Sequence, residues 1–209
     1  MKLYSYWRST TAYRVRIALA LKGISFAYVP VDLLAGAQRS ESFRRINPIM
    51  GLPALELPSG DILTQSMAII EYLEASFPAC PLLPADPMEA AEIRAAALLL
   101  ATDIHPLVNL KACERLMAMG QTREDALDWT RHWMLEGLTA FQALVRPHTT
   151  YAFGAVPSLA DICLVAQLYN GHRWGIDMAG LERLTAIEEA CLNLPAFQAA
   201  HPDRQPDAH

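Results

Sequence analysis

Ser9, Thr10 and Thr11 place three consecutive hydroxyls between an aromatic, apolar stretch, Met1 to Arg8, and an alanine- and leucine-rich stretch that stops at Gly23. The first reads as a short strand and the second as a helix closed by its glycine. The hydroxyls therefore fall at a helix N-terminus, where unsatisfied N–H groups and about half a positive charge favour an anion. If that anion is a cofactor's thiolate the turn is a catalytic device; if not, the three residues are caps. Two further features offer related chemistry. Leu52-Pro53 leads into a strand, where proline is tolerated at an entry or edge, and a cis bond there would leave the Leu52 N–H and C=O pointing outward to pair with an extended ligand. Gln65-Ser66 opens another helix, again a place for an anion. Singly these are a rigid turn and a cap; together and in this order they favour a ligand site.

The elements that must hold these residues alternate through the first half. After the opening strand and helix come a strand candidate at Phe26 to Val31 and a short polar helix over Gln38 to Ile46. Ala54 to Leu57 and Ile62-Leu63 flank Pro58-Ser59-Gly60-Asp61, strong hairpin chemistry. Ser66 to Ser76 then carries Ile69, Ile70, Leu73 and Phe77 at helical spacing. The order is βαβαββα, a small mixed sheet with helices on its faces. Pro78, Pro81, Pro84 and Pro87 follow, and each removes a donor and discourages helix before it, so residues 79–87 read as a linker. Beyond it everything is helical: Met88 to Met119, interrupted at Pro106; Arg123 to Leu144, with Ala126, Trp129, Trp133 and Leu138 facing inward; a capped helix at Ser158-Leu159-Ala160-Asp161; then Leu181 to Leu192 and Pro195 to Ala200. The expected domains are 1–78, α/β, and 88–209, all-α.

Composition narrows the function classes. The 209 residues are 53% hydrophobic with a net charge of −5, and the absence of a long basic block argues against a nucleic-acid partner. The longest uninterrupted apolar run, Ala95 to Ala101, falls far short of the ~18 residues of a membrane span. Arg8, Arg14 and Arg16 break the opening where a signal peptide would be apolar. Cys80, Cys113, Cys163 and Cys191 form no CxxC or zinc pattern and read as reduced residues packed in helices, so the expectation is a cytoplasmic protein without a metal site.

The run Tyr4-Ser5-Tyr6-Trp7-Arg8-Ser9, followed by Arg14-Val15-Arg16-Ile17-Ala18-Leu19-Ala20-Leu21-Lys22-Gly23, closely resembles the zeta class of the glutathione transferase superfamily. The similarity continues through Asn47-Pro48, Leu52-Pro53-Ala54-Leu55, Gln65-Ser66-Met67-Ala68-Ile69-Ile70 and Asp103-Ile104-His105-Pro106-Leu107. It reaches the tail at His201-Pro202 and Gln205-Pro206-Asp207, and so spans essentially the whole chain. The resemblance implies a thioredoxin-like N-terminal domain and an all-α C-terminal domain, assembled as a homodimer in the cytoplasm. It implies glutathione as cofactor and a role in aromatic amino acid catabolism.

By position, Ser9 is the family's catalytic serine, donating a hydrogen bond to the glutathione sulfur. A drop of ~2 units from a thiol pKa of ~8.5 makes the sulfur mostly anionic near neutrality, and a hydroxyl and a helix terminus together can supply it. Thr10, Thr11, Gln38, Leu52, Pro53, Gln65 and Ser66 would hold the cofactor, with His105 and Asn109 reaching in from the helical half where Pro106 kinks its helix. Thr10 and Thr11 stand where the family commonly has serine and cysteine. Losing that cysteine puts thiol exchange and reductive dehalogenation in doubt, and leaves isomerisation intact. The implied reaction is a cis–trans isomerisation of a maleyl keto acid, maleylacetoacetate or maleylpyruvate, to the fumaryl form. Such a dicarboxylic substrate calls for Arg8, Lys111 and Arg173, arginine being suited to carboxylates; Lys111 falls where the bacterial enzymes tend to have arginine. The alternative is a transferase conjugating electrophilic xenobiotics, which has no need of paired basic residues; a fold kept only for protein interaction is a further rival.

Overall fold

Strand β1 (Lys2–Ser5) alternates exposed Lys2 with fully buried Leu3 and half-buried Tyr4 with buried Ser5, the period of two that a strand with one core face requires. It lies at the centre of the first of two units in a computed structural model that describes residues 1–209. One unit comprises Met1–Leu82 together with Asn193–His209, the other Leu83–Leu192.

In the first unit β1 runs parallel to β2 (Ala27–Pro30), with Leu3 opposite Tyr28, and antiparallel to β3 (Ala54–Glu56), with Leu3 opposite Leu55. β4 (Ile62–Thr64) pairs with β3, so the sheet order is β2-β1-β3-β4. A parallel pair needs a crossover, and α1 (Thr10–Leu21) provides it, ending at Gly23 with φ 66° as a left-handed helix stop requires. α1 packs on α3 (Ser66–Ser76), where Ile69, Ile70 and Leu73 are buried, and on α10 (Pro195–Ala200), where Phe197 is buried. The helix expected over 38–46 is divided. A 3-10 turn (Ala37–Arg39) precedes α2 (Glu41–Ile46) because Ser40 between them is extended and caps α2, its hydroxyl accepting from the Phe43 N–H at 3.2 Å.

Two features of this unit depart from the sequence reading. Residues 193–209, expected within the 88–209 helical domain, pack here instead. Arg16, buried in the middle of α1, donates from Nε to the Ala200 carbonyl at 3.0 Å, and the Tyr28 hydroxyl donates to Asp207 at 2.6 Å. A guanidinium inside a core must find acceptors, and the end of the chain brings one. The proline-rich segment is also pinned. Lys22 Nζ pairs with Glu74 at 2.7 Å and donates to the carbonyls of Phe77 and Cys80, while Glu74 accepts from the Leu82 N–H at 2.9 Å. Cys80 is exposed on that segment rather than packed in a helix; Cys163 and Cys191 are buried.

In the second unit α4 (Pro87–Leu98) leads into a π-helical turn (Leu99–Ile104), then α5 (His105–Val108) and α6 (Leu110–Ala118). The kink expected at Pro106 is distributed. Pro106 has no N–H to close on Thr102, and the turn before it widens, with the His105 N–H bonding to the Leu100 carbonyl. The chain turns out of helix at Asn109, φ −77° and ψ 165°. By length and composition Pro87–Ala118 is apolar enough to cross a membrane, but that extended residue interrupts its hydrogen-bond ladder. α7 (Arg123–Leu144) buries Ala126, Thr130, Met134, Leu138 and Phe141. Ala126 and Leu138 are buried as expected, whereas the two tryptophans are not: Trp129 is 36% exposed, its indole N–H donating to the Leu107 carbonyl at 2.9 Å, and Trp133 is half-buried beside it. α8 (Leu159–Trp174) is buried nearly all round, as a central helix must be, and packs against α4, α7 and α9 (Glu182–Leu192). Asp161 in its first turn accepts from the Ser158 N–H at 2.8 Å, the Ser158 hydroxyl at 2.7 Å and the Ala152 N–H at 2.7 Å. Burial pushes its carboxyl up, against the pull of those donors.

Candidate active site

The strand directions gather three of the sequence candidates at one end of the sheet. β1 and β4 finish there and β3, antiparallel to both, begins there, with Tyr4 opposite Ala54 and Ala54 opposite Thr64. The turn after β1 carries Ser9, Leu52-Pro53 stands at the entrance to β3, and Gln65-Ser66 follows β4 into α3. Convergent polar groups beyond strand ends are a recurrent ligand position in mixed sheets.

Ser9 caps α1, with extended backbone and its Oγ accepting from the Ala12 N–H at 3.3 Å. Its own N–H bonds to the Tyr6 carbonyl at 2.9 Å, closing a tight turn. The Ser9 and Thr11 hydroxyls are 3.1 Å apart, and Thr11 donates to the Leu52 carbonyl at 2.8 Å. A carbonyl only accepts, so the single Thr11 hydrogen is on Leu52 and Ser9 is the donor to Thr11. Ser9, Thr11 and Leu52 thus form one chain of hydrogen bonds from the helix cap to the strand entrance. Thr10 is buried beside them. The Leu52–Pro53 bond is cis. Asn47 shapes the loop before it, donating from Nδ2 to the Gly51 carbonyl at 2.7 Å and accepting from the Ile49 N–H at 3.3 Å.

At Gln65 the backbone is unusual. Its φ is 69° with ψ 117°, outside even the left-handed helical region, a conformation that costs about 1–3 kcal/mol in a non-glycine residue and clusters at ligand sites. Its side chain does not cap α3, in contrast to Ser9 on α1. Ser66 is buried in the first turn. Gln38, in the turn after β2, is 5% exposed with its Oε1 lacking a protein donor. An unpaired buried acceptor is uncommon enough to mark the position.

The basic candidates differ in setting. Arg8 is half-buried, its Cζ 4.6 Å from the centre of the Trp7 ring and its Nη2 donating to the Tyr6 hydroxyl at 3.3 Å. No acidic residue occupies the first turn of α1, so the field at Ser9 is positive. In the second unit His105 opens α5 directly after the π-helical turn, a distortion frequent at functional sites. Asn109 caps α6, its Oδ1 accepting from the Ala112 N–H at 3.0 Å, which gives that side chain a structural duty. Lys111 is exposed in the first turn of α6. Arg173 is exposed in the last turn of α8, its Cζ 5.0 Å from the Trp174 ring.

Sequence reasoning passed over Arg16, Tyr28 and Asp207. Arg16 is 1% exposed and donates to the carbonyls of Tyr6 (3.3 Å), Trp7 (2.9 Å) and Ala200 and to the Ser5 hydroxyl at 3.0 Å. Asp207 accepts from the Trp7 N–H at 3.1 Å. The available signal was an arginine in the apolar run Val15 to Leu19, together with a tail that matched the family.

The donor set suits a thiol peptide: a hydroxyl at a helix N-terminus for the sulfur, the half-buried Leu52 at a strand entrance for the backbone, and a second helix start for a carboxylate. Residues 1–75 match the family model for the glutathione S-transferase N-terminal domain. The maleylacetoacetate isomerase of Pseudomonas aeruginosa is 42% identical, covering 99% of this chain and 98% of its own. A holo structure of maleyl pyruvate isomerase, a bacterial zeta-class glutathione S-transferase, superposes with a TM-score of 0.96 at 38% identity, covering 100% of both chains. The maleylacetoacetate isomerase of Anaeromyxobacter dehalogenans 2CP-1, solved with dicarboxyethyl glutathione and citrate in its active site, has a TM-score of 0.88 at 41% identity, covering 100% of this chain and 97% of that one.

Proposed function

The chain belongs to the zeta class of the glutathione S-transferase family, and from that premise we propose that it is a glutathione-dependent isomerase converting maleylacetoacetate or maleylpyruvate to the fumaryl keto acid. The observation that carries the reading is the Ser9 hydroxyl, held at the positive end of α1 and linked through Thr11 to Leu52. A related isomerase holds dicarboxyethyl glutathione; that molecule is the saturated product of adding a thiol across a butenedioate double bond, which supports addition chemistry in this class.

Glutathione, when bound, supplies a thiolate that adds reversibly to the conjugated double bond, so that the bond can rotate before the thiolate leaves. The chain's own residues do the rest. Ser9 donates its hydrogen bond and α1 its N-terminal field, which together favour the ionised sulfur. Leu52 offers backbone groups at the strand entrance, and Gln65 with Ser66 receives the γ-glutamyl end at the start of α3. Gln38, Thr10 and Pro53 complete the cofactor contacts that the first unit supplies. Arg8, Arg173 and Lys111 bind the substrate carboxylates, offsetting the repulsion between a dianion and a thiolate. Four cysteines in the thiol form, with no disulfide, support a reducing, cytoplasmic setting. Exposed apolar side chains such as Leu98 and Leu110 support a homodimer, and the substrates suit aromatic amino acid catabolism.

Assay of both maleyl acids with and without glutathione tests the reading. Glutathione-dependent loss of the maleyl chromophore, weakened in KM for the acid but not for glutathione by Arg173→Met, is expected. Turnover of aromatic electrophiles alone would establish the conjugating transferase instead.

A further inference from the structure

The Tyr6-Trp7-Arg8-Ser9 turn is gripped by Arg16 of the following helix and by Asp207, 200 residues from Trp7 along the chain. Arg16 donates to the Tyr6 and Trp7 carbonyls at 3.3 and 2.9 Å. Asp207, two residues from the C-terminus, accepts the Trp7 N–H at 3.1 Å through one carboxylate oxygen and the Tyr28 hydroxyl at 2.6 Å through the other. We propose that the C-terminal tail is a working part of the active site, with Asp207 as a positioning residue that fixes this turn and through it the direction of the Ser9 hydroxyl. The inference rests on the reading of Ser9 as the donor to the cofactor sulfur.

The turn is anchored at its end by Ser9 as the cap of α1 and along its length by the buried Tyr6 and Trp7 side chains. Its internal bond runs from the Ser9 N–H to the Tyr6 carbonyl, and that same carbonyl is one of the Arg16 acceptors. Any movement of Tyr6 therefore moves the Ser9 amide. Arg16 closes the circuit at its other edge, donating to the carbonyl of Ala200 where the tail leaves α10. The tail thus holds the turn directly through Asp207 and indirectly through Arg16. Burial, and next the bond to Asp207, push the Tyr28 hydroxyl above its ordinary range, so Tyr28 stays a donor throughout the working pH range. The last residue adds a further contact: the His209 ring centre is 5.6 Å from that of Trp7, the ring over which Arg8 lies. One strap therefore sets both the cofactor-side hydroxyl and a substrate-side guanidinium. Displacements of about 1 Å from outside a reacting site can cost on the order of a hundredfold in rate, and a strap of this kind restricts such displacement.

The test compares the full chain with Asp207→Ala, Asp207→Asn, Tyr28→Phe and Thr122→Ala, the last removing the cap of α7 as a stability control. Bound-thiol pKa is followed by glutathione thiolate absorbance, alongside kcat and KM. In Asp207→Ala, kcat falls roughly tenfold or more, the bound-thiol pKa rises toward the free value of ~8.5, and KM for glutathione stays within about threefold. Asp207→Asn keeps an acceptor for Trp7 and restores most of the rate, and Tyr28→Phe moves both readouts part of the way. Thr122→Ala lowers the unfolding midpoint and moves neither. If Asp207→Ala does not fold, the Tyr28→Phe shift decides. An unchanged thiol pKa in Asp207→Ala and Tyr28→Phe, or an equal shift in Thr122→Ala, overturns the inference while leaving Ser9 its role. A wild-type enzyme that does not acidify the thiol overturns the Ser9 reading itself.

Discussion

Ser9 Oγ lies 3.1 Å from Thr11 Oγ1, and a third atom sets the direction of that bond: the Leu52 carbonyl, 2.8 Å from Thr11, takes the threonine's only hydroxyl hydrogen. Ser9 is therefore the donor of the pair, and a ligand sulfur must compete with Thr11 for the same hydrogen. Ser9→Ala removes a bond to a charged acceptor worth about 2 kcal/mol, a rate loss of roughly thirtyfold. Thr11→Val acts in the opposite sense. Removing the competing acceptor, a bond worth about 1 kcal/mol net, lowers the bound-thiol pKa by roughly 0.7 unit. Thiolate absorbance across a pH series measures both; a rise in Thr11→Val would show that Thr11 itself serves the sulfur.

Arg16 is the second test. Its guanidinium meets four acceptors inside the first unit, an arrangement a lysine ammonium cannot reproduce from a single point. Arg16→Lys should cost about 2–4 kcal/mol, chiefly through acceptors left unpaired, and lower Tm by roughly 5–15 °C. Thermal unfolding followed by circular dichroism checks it, and a Tm within 2–3 °C of wild type on the ~3 °C per kcal/mol scale would contradict the buried network.

Gly137 permits a close approach. A Cβ at this position would overlap Cδ1 and Cγ1 of Ile104, the last residue of the π-helical turn. Gly137→Ala gains about 1 kcal/mol of helix propensity but loses about 1–3 kcal/mol to overpacking. Net destabilisation is expected, relieved in the double variant with Ile104→Val. Urea midpoints of the two proteins decide it; a stabilised single variant would refute the packing.

The pH response of the first unit has a defined sign. His201 stands edge-on to Tyr13, and its half-burial pushes its pKa below the ordinary ~6.5, with Asp203 opposing and Arg204 and Arg16 adding to the shift. Just below pH ~6.5 the unfolded chain takes up a proton that the native chain refuses, so stability is lost as pH falls from there toward the depressed value. His201→Gln should flatten the dependence of the unfolding midpoint on pH just below about 6.5. Parallel slopes for the two proteins would remove His201 from the account.

Much of this molecule was legible before folding was considered. Periodicity and turn chemistry are local, so Ser66–Ser76, Arg123–Leu144 and the Pro58–Asp61 hairpin could be read from their own residues, and Ser9 from the helix it begins. What tertiary structure alone decided was partnership. Whether Thr11 donates toward the sulfur or to Leu52, a strand entrance 41 residues away, depends on how the sheet brings the two together. Ala126 and Leu138 hold the core face as expected, but Trp129 and Trp133 yield it to Thr130, Met134 and Phe141 because packing against α8 selects one stripe among several apolar ones. The tail read as the end of a helical half, yet it closes on the first unit because Arg16 is buried there and must have acceptors. A hydrogen bond between residues 7 and 207 has no sequence period to announce it; only the fold brings that carboxylate to that amide.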